Sequence, residues 1–168
     1  MRLELEGRAR LLGDDVNTDY IISSSRKKET LDTGVLRAYL FESVNPAFAG
    51  SVRPGDVLVA GKNFGCGSAM EIAVTVLMAA GIRAVLARSF ARTYYRNAIN
   101  NGLIPIECDT SGIQEGTTLR LVLEDSRVRV IDEMPGREIA GVPLPSIMIE
   151  ILSEGGLVPF FRKRRDFK

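Results

Sequence analysis

The sequence predicts an α/β fold, because short buried strands alternate with helices through the middle of the chain. Residues 56–60 and 82–87 are apolar runs of strand length, and the apolar stretch at residues 72–80 between them has the length of a helix. This order is a βαβ unit, whose crossover is right-handed in nearly all known cases. A further helix at residues 91–101 and a strand at residues 103–106 extend the series.

The segment before this unit is predicted to contain polar turns and loops together with short helical pieces at residues 36–41 and 46–48. After an opening strand, residues 13–19 form a polar turn, and residues 23–30 are so polar and charged that a mobile surface loop is expected. The oxygen spacing of Asp15, Asn17 and Asp19 is similar to that of a calcium loop. The match fails, because Tyr20 stands at the required glycine and Arg26 at the place of the bidentate glutamate. No metal site is therefore predicted.

The segment after the unit has a different period. Apolar residues alternate at 118–123 and 127–131, which predicts a hairpin, and residues 145–152 are predicted to form a helix that ends before two glycines. The last seven residues, 162–168, include five cations. Such a tail could contact RNA, but a solvated terminus is the commoner reason for this composition.

Composition excludes several classes of function. A chain of 168 residues with 45% hydrophobic content supports one core, so residues 1–168 are expected to form a single domain. The 22 Lys and Arg balance 21 Asp and Glu, which gives no electrostatic reason for nucleic-acid or membrane binding. No apolar run has the length of a membrane helix, and the first residues are unlike a secretion signal. A cytoplasmic protein is expected.

Cysteine and histidine usage narrows the chemistry further. The two cysteines, Cys66 and Cys108, form no Cys-x-x-Cys pair, which argues against a disulfide framework or a four-cysteine zinc site. The chain contains no histidine. A Ser-His-Asp triad, a Cys-His pair and a histidine general base are therefore excluded within this chain.

The glycine-rich stretch at residues 61–71 is the main candidate site, because it follows a predicted strand and precedes an apolar helix. Its spacing does not fit a P-loop, and Met70 occupies the position of the third glycine of a dinucleotide fingerprint. A site for an oxyacid remains. Ser68 has two possible roles there: with Glu71 it fits a capping box, and its hydroxyl could also act as a base if positive charge lies nearby.

Three motifs in order carry a family resemblance: residues 13–22, residues 63–68, and residues 89–102. Together they resemble the small subunit of 3-isopropylmalate dehydratase and homoaconitase, the swivelling domain of the aconitase superfamily. The resemblance implies a swivelling β/β/α domain that works as a hydro-lyase with a large subunit, as a heterodimer or heterotetramer. It also implies that the large subunit carries a [4Fe–4S] cluster, that this chain binds no cofactor, and that Ser68 is the base acting on a small hydroxy acid.

The sequence departs from this family at the substrate contacts. Ala69 and Met70 replace a serine and an arginine that hold a substrate carboxylate in the relatives. By register, Lys28 stands at the specificity position of the early loop, with Arg26 and Lys27 as further cations, and Gly67 and Met70 complete the predicted substrate-binding set. A different hydroxy acid is one interpretation; a non-catalytic paralogue that keeps the partner and an RNA-binding module are the alternatives.

Overall fold

The computed structural model describes residues 1–164. These residues contain seven strands: β1 Arg2–Leu11, β2 Val57–Val59, β3 Ala84–Ala87, β4 Ile104–Glu107, β5 Thr118–Glu124, β6 Arg127–Asp132 and β7 Arg137–Gly141. The α-helices are α1 Thr18–Ile21, α2 Ser24–Glu29, α3 Thr33–Leu36, α4 Phe48–Ser51, α5 Ile72–Ala79, α6 Arg92–Asn101, α7 Ser146–Ser153 and α8 Leu157–Lys163. A short 3₁₀ turn at Arg37–Tyr39 follows α3.

The seven strands of the described residues form one mixed, curled sheet in the order β4-β3-β2-β1-β5-β6-β7. The first four in this order are parallel, as the crossover helices α5 and α6 require, and the last three are added antiparallel. The ten-residue β1 joins the two parts. Its first seven residues pair with β5, and its last three pair with β2.

Both faces of the parallel part are covered, which explains why its strands are apolar throughout. Leu58 and Val85 point to one face, where they belong to a core cluster shared with α1, α3 and α5. Their neighbours Val57, Val59 and Leu86 point to the other face, where α7 and the antiparallel strands complete a second cluster. The sheet therefore lies between two hydrophobic layers, and its strand ends remain at the surface.

A buried ion-pair network closes the amino end of β2. Asp56 is 2% exposed. It accepts hydrogen bonds from Arg8 at 2.8 Å, from Arg10 at 3.3 Å and from the Arg53 N–H at 2.9 Å. Burial raises the pKa of Asp56, but the hydrogen bonds from Arg8 and Arg53, the charge of Arg8 and the bond from Arg10 outweigh it and hold the pKa below its ordinary value. Arg10 also lies over the Phe48 ring, so the network ties α4 to the sheet.

The predicted core of the fold is confirmed. The strands at residues 56–60, 82–87 and 103–106, the helices between them, the hairpin and the helix that ends before Gly155 are all present within one or two residues at most boundaries. Gly102 closes α6 in the left-handed conformation, with φ of 86°. Strand β7 and helix α8 were not predicted, because charged residues interrupt the strand and Pro159 lies within the helix.

The loop predicted at residues 23–30 is wrong: Ser24–Glu29 form helix α2. Ser23 caps this helix, and its hydroxyl accepts a hydrogen bond from the Arg26 N–H at 3.4 Å. Arg26 then pairs with Glu42, far along the sequence, which holds the polar helix on the protein. Among residues 1–164, none of the helices is long and apolar enough to cross a membrane.

Candidate active site at the glycine-rich turn

The glycine-rich turn after β2 is held by the polar segment that follows β1. The Gly65 N–H donates to the Val16 carbonyl at 2.8 Å, and the Thr18 N–H donates to the Cys66 carbonyl at 2.8 Å. These bonds form an isolated parallel bridge between Asn17 and Cys66. The first two of the three sequence motifs are therefore one structural unit.

The third motif supports the turn from the other side. The Phe64 N–H donates to Ser89 and the Ala91 N–H donates to Phe64, at 3.0 and 2.9 Å. The Phe64 ring packs edge-on against Tyr94, with a centroid distance of 5.2 Å. The Tyr94 hydroxyl donates to the Ala73 carbonyl at 3.1 Å, which ties α6 to α5 beneath the turn.

Two glycines of the turn are required by its geometry. Gly65 has φ of 81°, and a Cβ there would come within 2.6 Å of Tyr94 Cδ2 and closer still to two other Tyr94 atoms. Gly67 has φ of 92°, and a Cβ there would lie 2.5 Å from the Asn17 amide oxygen. Any other residue at either position would be strained and would push the neighbouring motif away.

Ser68 lies at the exposed tip of this turn and does not cap a helix. The predicted capping box is wrong, because α5 begins only at Ile72 and its Glu71 cap makes no side-chain hydrogen bond. The Thr18 hydroxyl donates to the Ser68 carbonyl at 2.9 Å and holds the residue ahead of the helix. Within residues 1–164, the Ser68 hydroxyl makes no hydrogen bond and remains available.

Helix α2 brings one of the three predicted cations to the turn. Lys27 Nζ lies 2.9 Å from the sulfur of Met70 and 3.6 Å from Asp19 Oδ1. The Lys27 side chain is only 6% exposed. A positive charge therefore lies next to Met70, the residue at the family's arginine position, which follows Ser68 by two positions in the chain.

The other two predicted cations have different surroundings. Both nitrogens of the Arg26 fork bind Glu42, at 2.9 and 3.1 Å, and its guanidinium stacks on the Tyr39 ring. The hydrogen bond to Glu42 raises the pKa of Arg26, so its charge is already compensated. Lys28 is exposed and has no ion pair or hydrogen bond within the described residues.

The residues that hold Ser68 in place are not among the site residues predicted from the sequence. Thr18, Asn17 and Tyr94 all act through contacts with the glycine-rich turn. Thr18 and Asn17 lie in a segment that the sequence shows only as a polar turn, and Tyr94 is one of two adjacent tyrosines on α6. The signal for Thr18 is its place in the first family motif; nothing local distinguishes Tyr94 from Tyr95.

The cysteines of this chain do not fit an iron–sulfur cluster, which requires several thiolates around one centre. Cys66 is half-buried on the turn, and burial together with the Asp15 charge raises its pKa. Cys108 is buried beyond β4, where burial raises its pKa to about 12. In the part of the chain that the structure describes, no group of three or more His, Cys, Asp or Glu side chains could hold a metal ion.

The basic tail lies only partly within the described residues, since residues 165–168 are outside them. Lys163 donates to Glu154 at 2.7 Å, and Arg164 pairs with Glu150 and lies over the Phe160 ring. Two cations of the tail are thus engaged by α7 and α8. This arrangement gives no support to the RNA-binding alternative.

The fold and the turn define the class of this chain. Residues 38–111 match the family described as the aconitase C-terminal domain. The chain is 44% identical over 165 residues to the 3-isopropylmalate dehydratase small subunit 1 of Methanopyrus kandleri, covering 97% of this chain and 95% of that protein. It is 40% identical over 161 residues to the methanogen homoaconitase small subunit of Methanocaldococcus jannaschii, covering 96% and 93%.

A solved structure agrees with both relatives. The crystal structure of 3-isopropylmalate dehydratase (leuD) from Methanocaldococcus jannaschii has a TM-score of 0.89 and 40% identity, over 97% of this chain and 96% of that one. The chain therefore belongs to the family of 3-isopropylmalate dehydratase and homoaconitase small subunits.

Proposed function

We propose that this chain is the small subunit of a hydro-lyase that removes water from a 2-hydroxy di- or tricarboxylic acid and adds it back. The substrate is of the 3-isopropylmalate or homoaconitate type, as the names of the relatives suggest. The Ser68 hydroxyl carries this proposal. It is exposed, has no partner within residues 1–164, and lies on a turn fixed by contacts from two other segments.

Ser68 acts as the base in this proposal. The ionised Ser68 oxygen takes the proton from the carbon beside a substrate carboxylate, the electron pair of that C–H bond forms a double bond, and the hydroxyl leaves the adjacent carbon. Rehydration reverses these steps. The start of α5, which follows the turn, favours negative charge there, as a serine base requires.

A large subunit completes the site, because Ser68 is exposed and residues 1–164 contain no group of side chains that could hold a cluster. A [4Fe–4S] cluster on that subunit would supply the Lewis acid for the departing hydroxyl. The two subunits then contribute different chemical groups to one site, in a heterodimer or a heterotetramer.

Substrate binding is assigned to α2 and to the turn. Lys28 is exposed and has no partner in residues 1–164, so we propose that it sorts substrates by their variable group. Arg26 shapes the surface through its pair with Glu42. Gly67 lets the backbone approach, and Met70 offers an apolar flank. Lys28→Ala should raise KM sharply in the assembled enzyme and change the ratio of KM values between substrates; unchanged values would exclude this role.

Replacing Ser68 tests the proposed function. The complex of both subunits is prepared with Ser68→Ala or with the control Ser153→Ala on α7, and absorbance follows the unsaturated product. Ser68→Ala should lower kcat by a factor of about 10²–10⁴, the usual effect of removing a general base, while the complex still assembles. Ser153→Ala should retain activity. Full activity of Ser68→Ala would contradict the assignment.

A non-catalytic paralogue is the second candidate, because Ala69 and Met70 lack the groups that bind carboxylate in the relatives. The same preparations separate the two. A wild-type complex that assembles but converts none of the di- and tricarboxylic hydroxy acids would establish the paralogue.

A further inference from the structure

We infer that Lys27 is the residue of this chain that binds the substrate carboxylate, and that its contact with Met70 holds the ammonium ready for it. This inference rests on the proposed function. It concerns the carboxylate that all candidate substrates share, whereas the role proposed for Lys28 concerns the group by which they differ.

The burial of Lys27 is unusual for its helix. Every residue of α2 is at least partly exposed when its backbone is included, yet the Lys27 side chain by itself is only 6% exposed. Lysine side chains normally extend toward water, and they are seldom buried without a strong partner. The burial of the Lys27 side chain therefore requires an explanation.

The two partners of Lys27 do not provide this explanation, because neither offers an oxygen within hydrogen-bond distance. A thioether is a poor acceptor, and the Asp19 oxygen at 3.6 Å is beyond hydrogen-bond distance. The same Asp19 oxygen already accepts from the Ser24 N–H at 2.8 Å and from the Ser24 hydroxyl at 2.5 Å. The hydroxyl bond is the main cause that lowers the pKa of Asp19. Among residues 1–164, the ammonium has no oxygen within hydrogen-bond distance.

The three cations of α2 differ in what they can still bind. Arg26 is occupied by Glu42, and Lys28 has no contact that would fix its position. Lys27 alone among them is both fixed against the turn and short of acceptors. An incoming carboxylate oxygen would provide a charged acceptor at hydrogen-bond distance. Neither Met70, which is uncharged, nor Asp19, whose ion pair with Lys27 spans 3.6 Å, provides one.

The location of Lys27 agrees with this role. Met70 lies two residues after Ser68, and Asp19 follows Thr18, whose hydroxyl holds the Ser68 carbonyl. A carboxylate bound by Lys27 is thus placed beside the proposed base. Its negative charge would meet a compact ammonium, which can donate hydrogen bonds in several directions, instead of the planar fork of an arginine.

The test uses the assembled complex with 3-isopropylmalate and a homologous tricarboxylic hydroxy acid. Lys27→Met should raise KM about 10- to 100-fold for both acids by the same factor, with kcat changed less than about threefold, since one charged hydrogen bond is lost. The control Lys62→Met removes an exposed lysine elsewhere on the glycine-rich stretch and should leave KM unchanged. Thermal unfolding confirms that each variant is folded.

A double variant tests the contact itself. The double variant Lys27→Leu/Met70→Arg moves the cation from α2 to the turn. It should reverse most of the increase in KM that Lys27→Leu causes alone. An unchanged KM in Lys27→Met overturns the inference, while the proposed function still stands if Ser68→Ala is inactive.

If the wild-type complex converts none of the acids, the proposed function fails and binding decides the role of Lys27. The full chain with ¹³C-methyl methionine is then titrated with 3-isopropylmalate. The Met70 methyl resonance should shift in the wild type and in Lys62→Met but not in Lys27→Met. No Met70 shift in the wild type overturns the inference.

Discussion

The close packing of Gly65 against Tyr94 predicts a large loss of stability in Gly65→Ala. A Cβ at Gly65 would come within 2.6 Å of Tyr94 Cδ2 and closer still to Tyr94 Cγ and Cβ, so Tyr94 would have to move by more than about 1 Å to reach ordinary contact. It cannot move freely, because Tyr94 is 2% exposed, its hydroxyl bonds Ala73 and its ring packs on Phe64. Overpacking of this kind costs about 1–3 kcal/mol.

Gly116 provides the matched control for this variant. Its φ of 83° is nearly that of Gly65, but a Cβ there would meet nothing within 4 Å. Both alanine variants carry the backbone strain of about 1–2 kcal/mol, partly offset by the lower entropy of the unfolded chain. Gly116→Ala should therefore lose about 1 kcal/mol, and Gly65→Ala about 2–4 kcal/mol in total.

Thermal unfolding followed by circular dichroism measures the difference. For a chain of this length, each kcal/mol lowers Tm by about 2–4 °C, so Gly116→Ala should lose about 2–4 °C and Gly65→Ala about 4–16 °C. Equal decreases in Tm for the two variants would refute the argument that contact with Tyr94, and not the backbone angle, makes this glycine necessary.

Three further predictions follow from the described contacts. Asp56→Asn should lose about 3 kcal/mol of unfolding free energy at pH 7. Because the folded-state pKa of Asp56 is lowered, its stabilisation is present above the unfolded pKa and is lost as the pH falls through the folded pKa; urea unfolding should show the variant approaching the wild type below about pH 4. Iodoacetamide at pH 8 should modify Cys66 more slowly than free cysteine and Cys108 only after unfolding, because burial raises both pKa values; mass spectrometry of the digested protein measures this. Thr18→Val should lower kcat of the assembled enzyme about tenfold without preventing assembly, because the Ser68 carbonyl loses its hydrogen bond; an unchanged kcat would show that the turn holds Ser68 without it.

The predictable part of this molecule is the part whose stability comes from apolar periodicity. Strands β2, β3 and β4 are apolar runs flanked by glycine or proline turns, so their order and parallel pairing follow from the sequence alone. Helix α2 has no such signal. Its residues are polar, and it is fixed by Glu42 and Met70, which lie 16 and 43 positions from their partners. Local helix propensity cannot predict contacts between residues that are so far apart in the sequence.

Ser68 shows the same limit at the candidate site. The pattern Ser68 to Glu71 satisfies the rule for a capping box, but a bond from Thr18, 50 positions away, holds Ser68 ahead of the helix. The tertiary contact with Thr18 therefore decides the conformation at Ser68, and the local capping rule does not. The two conformations have opposite consequences for the hydroxyl. A capping hydroxyl would be bound to backbone N–H groups and unable to act as a base, whereas the observed hydroxyl makes no hydrogen bond in residues 1–164.

The Lys27–Met70 contact is separate from the contacts that fix the shape of the turn. Gly65 packs against Tyr94 and Gly67 packs against Asn17, so a larger residue at either glycine would disturb its neighbour. Met70 and Lys27 touch only at their flexible ends, and either can change while the turn keeps its shape. A cation can thus move from the turn to α2 without rebuilding the position of Ser68. The residues that hold Ser68 can therefore change independently of the residues that bind the acid. The KM and kcat of the Lys27→Leu/Met70→Arg variant measure how independent the two sets are.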